Sequence, residues 1–172
     1  MQVASCFFFA FSFLCYPRSY LSQLNATFLM TAQQITTTEE IAAALRIREI
    51  VFVQGQGVPP DAEYDEHDRS DATHYLVTSA DGTPCGAARW RPTDKGVKLE
   101  RFAVLASYRN QEAGAALLRA VLHDVQAAHP DATVYLHSQL PAVRFYERHG
   151  FEKVGEQFSE CDIEHYKMEL RK

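Results

Sequence analysis

Metal-binding and disulfide motifs are absent from this sequence. The four cysteines, Cys6, Cys15, Cys85 and Cys161, form no CxxC pair, and no two histidines stand at the spacing of zinc ligands. A disulfide framework and a structural metal site are therefore not expected, because both need cysteines or histidines at short, regular spacings. We expect reduced, mostly packed thiols, no bound metal and a cytoplasmic protein.

Positive charge and glycine-rich nucleotide motifs are also scarce. The chain has 17 Lys and Arg against 22 Asp and Glu, a net charge of −5, which argues against non-specific nucleic-acid binding. No GxSxG elbow and no GxxxxGK(S/T) loop occurs, and the stretch "GQGVPP" lacks the third glycine of a dinucleotide fingerprint. These absences disfavour serine hydrolases of the elbow type, P-loop proteins and dinucleotide-binding proteins.

One long apolar run stands near the beginning of the chain. Residues 3–16, "VASCFFFAFSFLCY", are too short for a comfortable membrane span, and the first basic residue, Arg18, follows rather than precedes them. We expect residues 1–29 to be an upstream extension from a misplaced start or a disordered tail, with a signal peptide as the alternative. Met30 opens "MTAQQITTTEE", and we predict a single domain over residues 30–172.

The first part of this domain predicts a strand, a helix and an acidic loop. Residues 31–38 are β-prone, and apolar residues at helical spacing then predict a helix from a Thr38 cap to about Phe52. Residues 55–71 are punctuated by Gly and Pro and hold six acids, which predicts a long loop with room for one helical turn. A solvated surface loop and a functional loop that attracts a cationic amine both stay open.

Three strands separated by tight turns follow the loop. Residues 73–80 end at "DG", residues 85–93 end at "DKG", and residues 97–105 alternate, which predicts an antiparallel meander. The alternation places two sets of side chains on opposite faces of the third strand: Val97, Leu99, Arg101 and Ala103 on one, and Lys98, Glu100, Phe102 and Val104 on the other.

The hydrophobic period then changes to that of a helix. Residues 110–128 predict an amphipathic helix, residues 133–138 a strand, and residues 141–150 a short helix with Pro at its first turn and Gly at its end. The stretches "FEKVGEQF" and "EHYKMEL" predict two closing strands. The order β-α-β-β-β-α-β-α-β-β, without internal repeats, indicates a single α/β domain.

Several stretches occur in an order that resembles a known superfamily. "LERFAVL" is followed by "ASYRNQEAGAALL", and "LPAVRFYERHGFEKVGE" comes later. Together they resemble the GNAT-superfamily N-acetyltransferases, and "LHSQ" and "GEQFSECDIEHYKMEL" are similar to its ElaA-like branch. The resemblance implies a GNAT-like mixed, mostly antiparallel sheet of roughly six to seven strands with flanking helices. It also implies acetyl-CoA as co-substrate and an amine acceptor.

The stretch "YRNQEAGAALL" opens the second long helix, and the resemblance implies a pyrophosphate site there. A helix N-terminus has about four unpaired N–H groups and a partial positive charge, which suit an anion. The family's Arg/Gln-x-x-Gly-x-Gly/Ala frame falls on Arg109–Gly114, and its first and last residues match. By the same resemblance, the backbone around Phe102–Val104 pairs with the pantetheine arm. The implied CoA-binding residues are Phe102, Ala103, Val104, Arg109, Asn110, Gln111, Glu112, Ala113, Gly114 and Ala115.

Glu112 departs from this frame because it stands where relatives carry glycine. Its Cβ and its charge would oppose the approach of phosphates, so weakened CoA binding is one expectation. The other is a first-turn acid that stabilises its own helix by about 0.3–1 kcal/mol while its side chain points to solvent. Asn110 is a milder departure, since Asn tolerates left-handed backbone angles.

Acyl transfer from a thioester to an amine needs a neutral amine and a proton for the departing thiolate. Tyr146 in "FYERHGF" matches, by resemblance, a tyrosine that supplies this proton, and packing on the core is its alternative role. The catalytic base stays open between Glu100 and His165, with His74 and His137 as further candidates on strands. Each can equally be structural, and an amine of lowered pKa needs no strong base.

The residues and the resemblance together predict an acetyl-CoA-dependent N-acetyltransferase. It would move an acetyl group to a primary amine, on a small molecule or a protein, by direct attack through a tetrahedral intermediate. A non-catalytic CoA-binding or acyl-sensing module is the alternative, and an interaction domain that has lost CoA is a third possibility. We expect a monomer or homodimer without nucleic-acid or membrane partners.

Overall fold

An eight-stranded sheet organises the structure, a computed structural model that describes residues 30–171. The segment 1–29, with its apolar run, lies outside the described residues. The strands are β1 (Thr31–Ile35), β2 (Thr73–Thr78), β3 (Pro84–Thr93), β4 (Gly96–Val104), β5 (Val134–Gln139), β6 (Phe151–Lys153), β7 (Phe158–Glu160) and β8 (Ile163–Leu170). Their order is β1-β2-β3-β4-β5-β8-β6, with β7 also paired to β8. β4 and β5 are parallel, and the other pairs are antiparallel.

Helices pack on both faces of this sheet. They are α1 (Thr38–Arg48), α2 (Pro60–Glu63), α3 (Ala113–Ala128) and α4 (Val143–Arg148), and α1 continues as a π-helix over Glu49–Gln54. The cap of α1 is Thr37 rather than the predicted Thr38, because the Thr37 hydroxyl accepts the Glu40 N–H while the Glu40 carboxylate accepts the Thr37 N–H.

The predicted α/β class and order of elements are confirmed, with one strand added. The predicted closing strand "FEKVGEQF" is split into β6 and β7, and β7 turns back into β8 through Cys161 and Asp162. Both residues have positive φ, 52° and 60°. This is the backbone of a type I′ hairpin turn, which Asn-Gly or Asp-Gly usually marks. The turn was missed because neither of its residues is glycine.

Two hydrophobic cores hold the helices against the sheet. The larger packs α3 against the sheet through Leu117, Leu118 and Val121, and the smaller packs α1 through Ala44 and Ile47. Adjacent residues of β2 belong to different cores. Since adjacent residues of a strand point to opposite sides, the two cores lie on opposite faces of the sheet.

A β-bulge in β4 overturns the predicted facing of its side chains. The register against β3 shifts near Arg101, which has a φ of 58°. An extra residue in one strand reverses the facing of all residues beyond it. Leu99 and Val104 consequently pack with the larger core, whereas Ala103 packs with the smaller one. The prediction that Leu99 and Ala103 share a face, and that Glu100 shares one with Val104, is wrong for this reason.

Two buried arginines tie the acidic loop to the rest of the domain. Arg48 of α1 donates to Glu63 and to Asp68, each at 2.5 Å, and Arg89 of β3 donates to Asp68 at 2.6 Å and to Asp65 at 2.7 Å. Both arginines are 1% exposed. The charges of these three carboxylates are therefore neutralised within the chain. They fit neither of the two predictions for this loop, a solvated surface loop or a loop that attracts a cationic amine. The exposed acids of the loop are Asp61, Glu66 and Asp71.

Arg48→Met removes the charge from this buried site at little change in volume. We expect it to lower the free energy of unfolding by about 3–5 kcal/mol, because Glu63 and Asp68 lose their main partner in a buried place. Lys153→Gln removes an exposed ion pair with Glu147 (3.5 Å) and should cost no more than about 1 kcal/mol. Urea unfolding measures both variants, and equal losses would contradict the structural role of Arg48.

Candidate active site

Strands β4 and β5 separate in the middle of the sheet and open a cleft. Their pairing ends at Leu99 and Leu136, after which β4 follows β3 to Val104 and β5 follows β8 to Gln139. Beyond Leu99, the β5-facing edge of β4 has no strand partner within residues 30–171. The space between the strands has a volume of about 940 Å³. This size suits an extended organic ligand, and the open strand edge offers it backbone hydrogen bonds.

The N-terminus of α3 closes one end of this cleft. The helix begins at Ala113 and not at the predicted Asn110, because Asn110 and Glu112 have left-handed φ values of 59° and 67°. The N–H of Ala116 bonds to the carbonyl of Glu112 at 2.8 Å. Residues 113–115 line the cleft, and their N–H groups precede this first helical bond, so they are open to a ligand that can accept hydrogen bonds.

Glu112 is the N-cap of α3, outside the first turn in which it was expected. Its side chain makes no capping bond, is 69% exposed and places its carboxylate 3.6 Å from the Arg119 guanidinium. The unusual feature of Glu112 is therefore its backbone, because a residue with a Cβ in the left-handed region costs about 1–2 kcal/mol.

Two predicted binding residues are oriented by bonds within the chain. Arg109 donates from Nε to the Val104 carbonyl at 3.1 Å, and Gln111 donates to the Ser107 carbonyl at 2.7 Å. The side chains of Gln111 and Ala103 lie outside the cleft lining, Ala103 because it packs in the smaller core. The other predicted binding residues line the cleft: Phe102, Val104, Arg109, Asn110, Glu112, Ala113, Gly114 and Ala115.

Tyr146 of α4 is both a core residue and a wall of the cleft. Its ring centroid lies 6.3 Å from that of Phe102, 5.0 Å from Phe145 and 5.8 Å from Phe151. Burial raises the pKa of Tyr146, so the phenol is protonated at neutral pH. The hydroxyl can donate a hydrogen bond to a developing negative charge in the cleft.

The Glu100 carboxylate lines the cleft but is held by cations. Arg89 and Arg91 approach it to 2.9 Å, and Lys98 approaches it to 3.2 Å. Burial by itself raises the pKa of Glu100, but the charges of Arg89, Lys98 and Arg91 outweigh it and lower the pKa. A carboxylate of lowered pKa is a weak proton acceptor near neutral pH.

The candidate histidines differ in position. His165 of β8 and His137 of β5 line the cleft, whereas His74 is buried on β2 outside the cleft lining. Nδ1 of His165 lies 2.7 Å from the Ile163 carbonyl. A carbonyl can only accept, so Nδ1 carries the proton, and the neutral ring keeps its lone pair on Nε2. Burial lowers the pKa of His74, which keeps that ring neutral.

Several cleft residues were missed from the sequence. Val51 and Phe52 belong to the π-helix, Glu160 comes from β7, and Gln56 exchanges two amide hydrogen bonds with Gln139 at 3.1 and 2.9 Å. The glutamine pair joins positions 83 apart in the chain, and the sequence predicted an ordinary helix as far as Phe52. No local pattern could have pointed to these residues.

Neither a candidate metal-binding cluster nor a membrane-spanning helix occurs in the part of the chain that is described. Residues 30–171 bring no three His, Cys, Asp or Glu side chains together in a way that could hold a metal ion. No helix among them is both long and apolar enough to cross a membrane. Cys85 is a buried free thiol and Cys161 an exposed one.

An open strand edge that meets a helix N-terminus in one cleft is the arrangement of an acyl-CoA-dependent acyltransferase of the GNAT type. The sequence pattern of the family described as "Acetyltransferase (GNAT) domain" matches residues 35–172. The chain belongs to this family, which confirms the resemblance drawn from its motifs. Membership implies transfer of an acyl group from an acyl-CoA to an acceptor.

Individual relatives agree with this assignment. YjcF, an uncharacterized N-acetyltransferase of Bacillus subtilis (strain 168), is 36% identical over 132 residues, which are 76% of this chain and 91% of the relative. The crystal structure of Escherichia coli ElaA superposes with a TM-score of 0.74 at 26% identity, over 83% of this chain and all (100%) of that one. An acyl-CoA N-acyltransferase from Pseudomonas aeruginosa gives 0.72 at 28% identity, over 84% of this chain and 100% of that one.

Comparing Glu112→Gly with Glu112→Ala distinguishes the effect of backbone strain at residue 112 from the effect of its carboxylate charge. Both variants remove the carboxylate, but Gly alone adopts the left-handed angles without a Cβ penalty. We expect Glu112→Gly to be more stable than Glu112→Ala by about 1 kcal/mol in urea unfolding. Equal stabilities would mean that residue 112 does not adopt left-handed angles in solution.

Proposed function

We propose that the protein is an N-acetyltransferase that moves an acetyl group from acetyl-CoA to a primary amine by direct attack through a tetrahedral intermediate. The observation that carries this proposal is the meeting of three features in one cleft: the unpaired edge of β4, the open N-terminus of α3 and the buried phenol of Tyr146. The family membership supports the acyl-CoA part, and the acetyl group and the amine belong to the proposal.

The residues present fit a CoA molecule. The pyrophosphate would accept from the N–H groups of residues 113–115, where Gly114 and two alanines leave space for close approach. Arg109 would contribute its guanidinium, which the Val104 carbonyl already holds in place through Nε. The pantetheine amides would pair with the free edge of β4 between Glu100 and Val104. Acetyl-CoA supplies the activated acyl carbon and a thiolate leaving group.

Tyr146 has the properties required beside the leaving sulfur. A phenol that burial keeps protonated can donate a hydrogen bond as negative charge develops, and the surrounding rings exclude water. The raised pKa makes Tyr146 less acidic than a free phenol. Its contribution is therefore a hydrogen bond to the departing thiolate. The proton that the thiolate finally takes up comes from the amine nitrogen.

The proton acceptor for the amine comes from the remaining candidates. Glu100 fits this role least, since the cations around it lower its pKa. His165 and His137 fit better, because both are histidines that line the cleft. An acceptor that arrives as a neutral amine would need no base.

A non-catalytic CoA-binding module is the second candidate. Its motivation is that Glu112 stands where the GNAT motif has a glycine, although the Glu112 carboxylate is exposed and lies beside Arg119. The two functions differ in turnover. Incubation with acetyl-CoA and a broad panel of primary amines, followed by detection of free thiol, should show thiol release that depends on the amine. Binding of acetyl-CoA without release from any amine would favour the module.

Binding of acetyl-CoA should depend on Arg109 and hardly on the charge of Glu112. By isothermal titration calorimetry we expect Arg109→Gln to weaken binding about tenfold, the effect of losing one charged hydrogen bond. Glu112→Gln should change the affinity less than about threefold, since the carboxylate is exposed and beside Arg119. Absence of binding by the unmodified protein at millimolar acetyl-CoA would refute the proposed function. A large gain in Glu112→Gln would show that this charge repels the phosphates.

Tyr146→Phe should lower kcat on the order of 100-fold while leaving acetyl-CoA affinity nearly unchanged, since only the hydroxyl is removed. Tyr75→Phe is the matched control, because it removes the hydroxyl of another buried tyrosine. The Tyr75 hydroxyl lies outside the cleft and donates to the Asp124 carboxylate at 2.6 Å. This control variant should lower stability and leave kcat intact. A fully active Tyr146→Phe enzyme would exclude the hydroxyl from catalysis.

A further inference from the structure

We infer that His137 accepts the proton of the acceptor amine and that Glu160 is the positioning residue that orients this histidine. The inference rests on the proposed function and names a pair of residues for its unassigned step. His137 lies on β5 and Glu160 at the end of β7, and both line the cleft. Neither stretch has a catalytic motif, and 23 positions separate the two residues in the chain.

The geometry of the pair defines which nitrogen can take a proton. Nδ1 of His137 lies 3.3 Å from Oε2 of Glu160. The hydrogen bond from His137 lowers the pKa of Glu160 to about 2, so the carboxylate is ionised and can only accept. Nδ1 is consequently the donor, and the neutral ring holds its lone pair on Nε2. A carboxylate on the far side of an imidazole stabilises the protonated ring, which is what a base needs.

His137 lies on the sheet face from which the acceptor amine would approach the cleft. Leu136 belongs to the larger core, the core that packs α3 and includes Tyr146. Successive strand residues point to opposite faces, so His137 lies on the face away from α3. The amine would therefore approach from the face of His137, while Tyr146 would donate its hydrogen bond to the sulfur from the face of α3.

Aromatic contacts fix the His137 ring in this place. The ring of Phe158 lies edge-on at 4.9 Å from His137 and stacks at 5.8 Å on His165. Tyr135 lies 6.3 Å from His137 along the same strand. The ring is therefore held by two aromatic neighbours and by its bond to Glu160, while its side chain is still 29% exposed.

The charges around the pair leave Glu160 as the carboxylate of His137. Lys98 on β4 lies 3.2 Å from Glu100, and Lys167 on β8 lies 2.7 Å from Glu169, so both lysines have other partners. Nδ1 of the rival histidine, His165, donates to the Ile163 carbonyl instead of a carboxylate, although the His165 ring lies close enough to Glu160 for their charges to interact.

The reaction balances with this assignment. The acceptor enters as an ammonium ion and gives one proton to Nε2 of His137, which frees the nitrogen lone pair. A carbon–nitrogen bond forms at the acyl carbon, the carbon–sulfur bond breaks, and the electron pair of that bond leaves with sulfur. The second proton of the nitrogen ends on sulfur, with Tyr146 donating a hydrogen bond there. His137 then releases its proton to solvent.

The pair can be tested without any acceptor by NMR of ¹⁵N-labelled histidines. In the unmodified protein we expect neutral His137 to carry its proton on Nδ1. Glu160→Leu should lower the share of this tautomer, because the Nδ1–H loses its acceptor. Glu160→Asp, which keeps a carboxylate acceptor, should retain part of it. An unchanged tautomer share in Glu160→Leu would overturn the pairing.

Kinetics with acetyl-CoA and the best amine of the panel test the role. Glu160→Leu should lower kcat/KM, Glu160→Asp should restore part of it, and His137→Gln should lower kcat/KM on the order of 100-fold. His123→Gln is the matched control, since it removes a His–carboxylate pair (2.9 Å to Asp124) outside the cleft, and it should change neither kcat/KM nor the tautomer of His137.

The outcomes separate the two proposals. A changed tautomer share with an unchanged kcat/KM in Glu160→Leu would overturn the role of the pair and leave the acetyltransferase standing. Full activity in His137→Gln, with His165→Gln inactive, would transfer the role to His165. No thiol release by the unmodified protein with any amine would overturn the proposed function, and this inference with it.

Discussion

The separation of β4 from β5 is the constraint on which the site depends. Two strands of one sheet stay paired unless something turns one of them away, and β4 carries a bulge just beyond its last bond to β5. A bulge bends its strand and adds local twist. It also reverses the facing of the residues after it, which brings Phe102 and Val104 to the side of α3 and Tyr146. The cleft and its lining therefore have the same origin.

A network of buried ion pairs borders the cleft on the side of α1. Arg48 and Arg89 hold the acidic loop through ion pairs with Glu63, Asp65 and Asp68. Arg89 also pairs with Glu100 beside the bulge. A network of this kind is costly to desolvate and costly to break, so it specifies one arrangement of the loop more than it adds net stability. The same cations lower the pKa of Glu100. In the proposed reaction a base would therefore come from the histidines of β5 and β8.

The sequence predicted those parts of the structure that depend on neighbouring residues. The alternation of the meander, the period of α3 and the Pro and Gly that bound the short α4 region are local patterns, and each led to an element that is observed. The prediction failed where the backbone leaves its regular form. The bulge at Arg101, the hairpin turn at Cys161 and the late start of α3 all use positive φ at residues other than glycine, which composition does not reveal.

The sequence by itself determined the α/β class, the order of nearly all elements and, through its motifs, the family. It also marked the residues before α3 and the tyrosine of α4, because motif positions are counted along the chain. The tertiary structure alone decided which carboxylate belongs to which cation, and so that Glu100 is held by arginines while Glu160 is left to His137. Proton affinity depends on charges a few ångströms away in space. Those neighbours come from distant strands, and no spacing in the sequence records them.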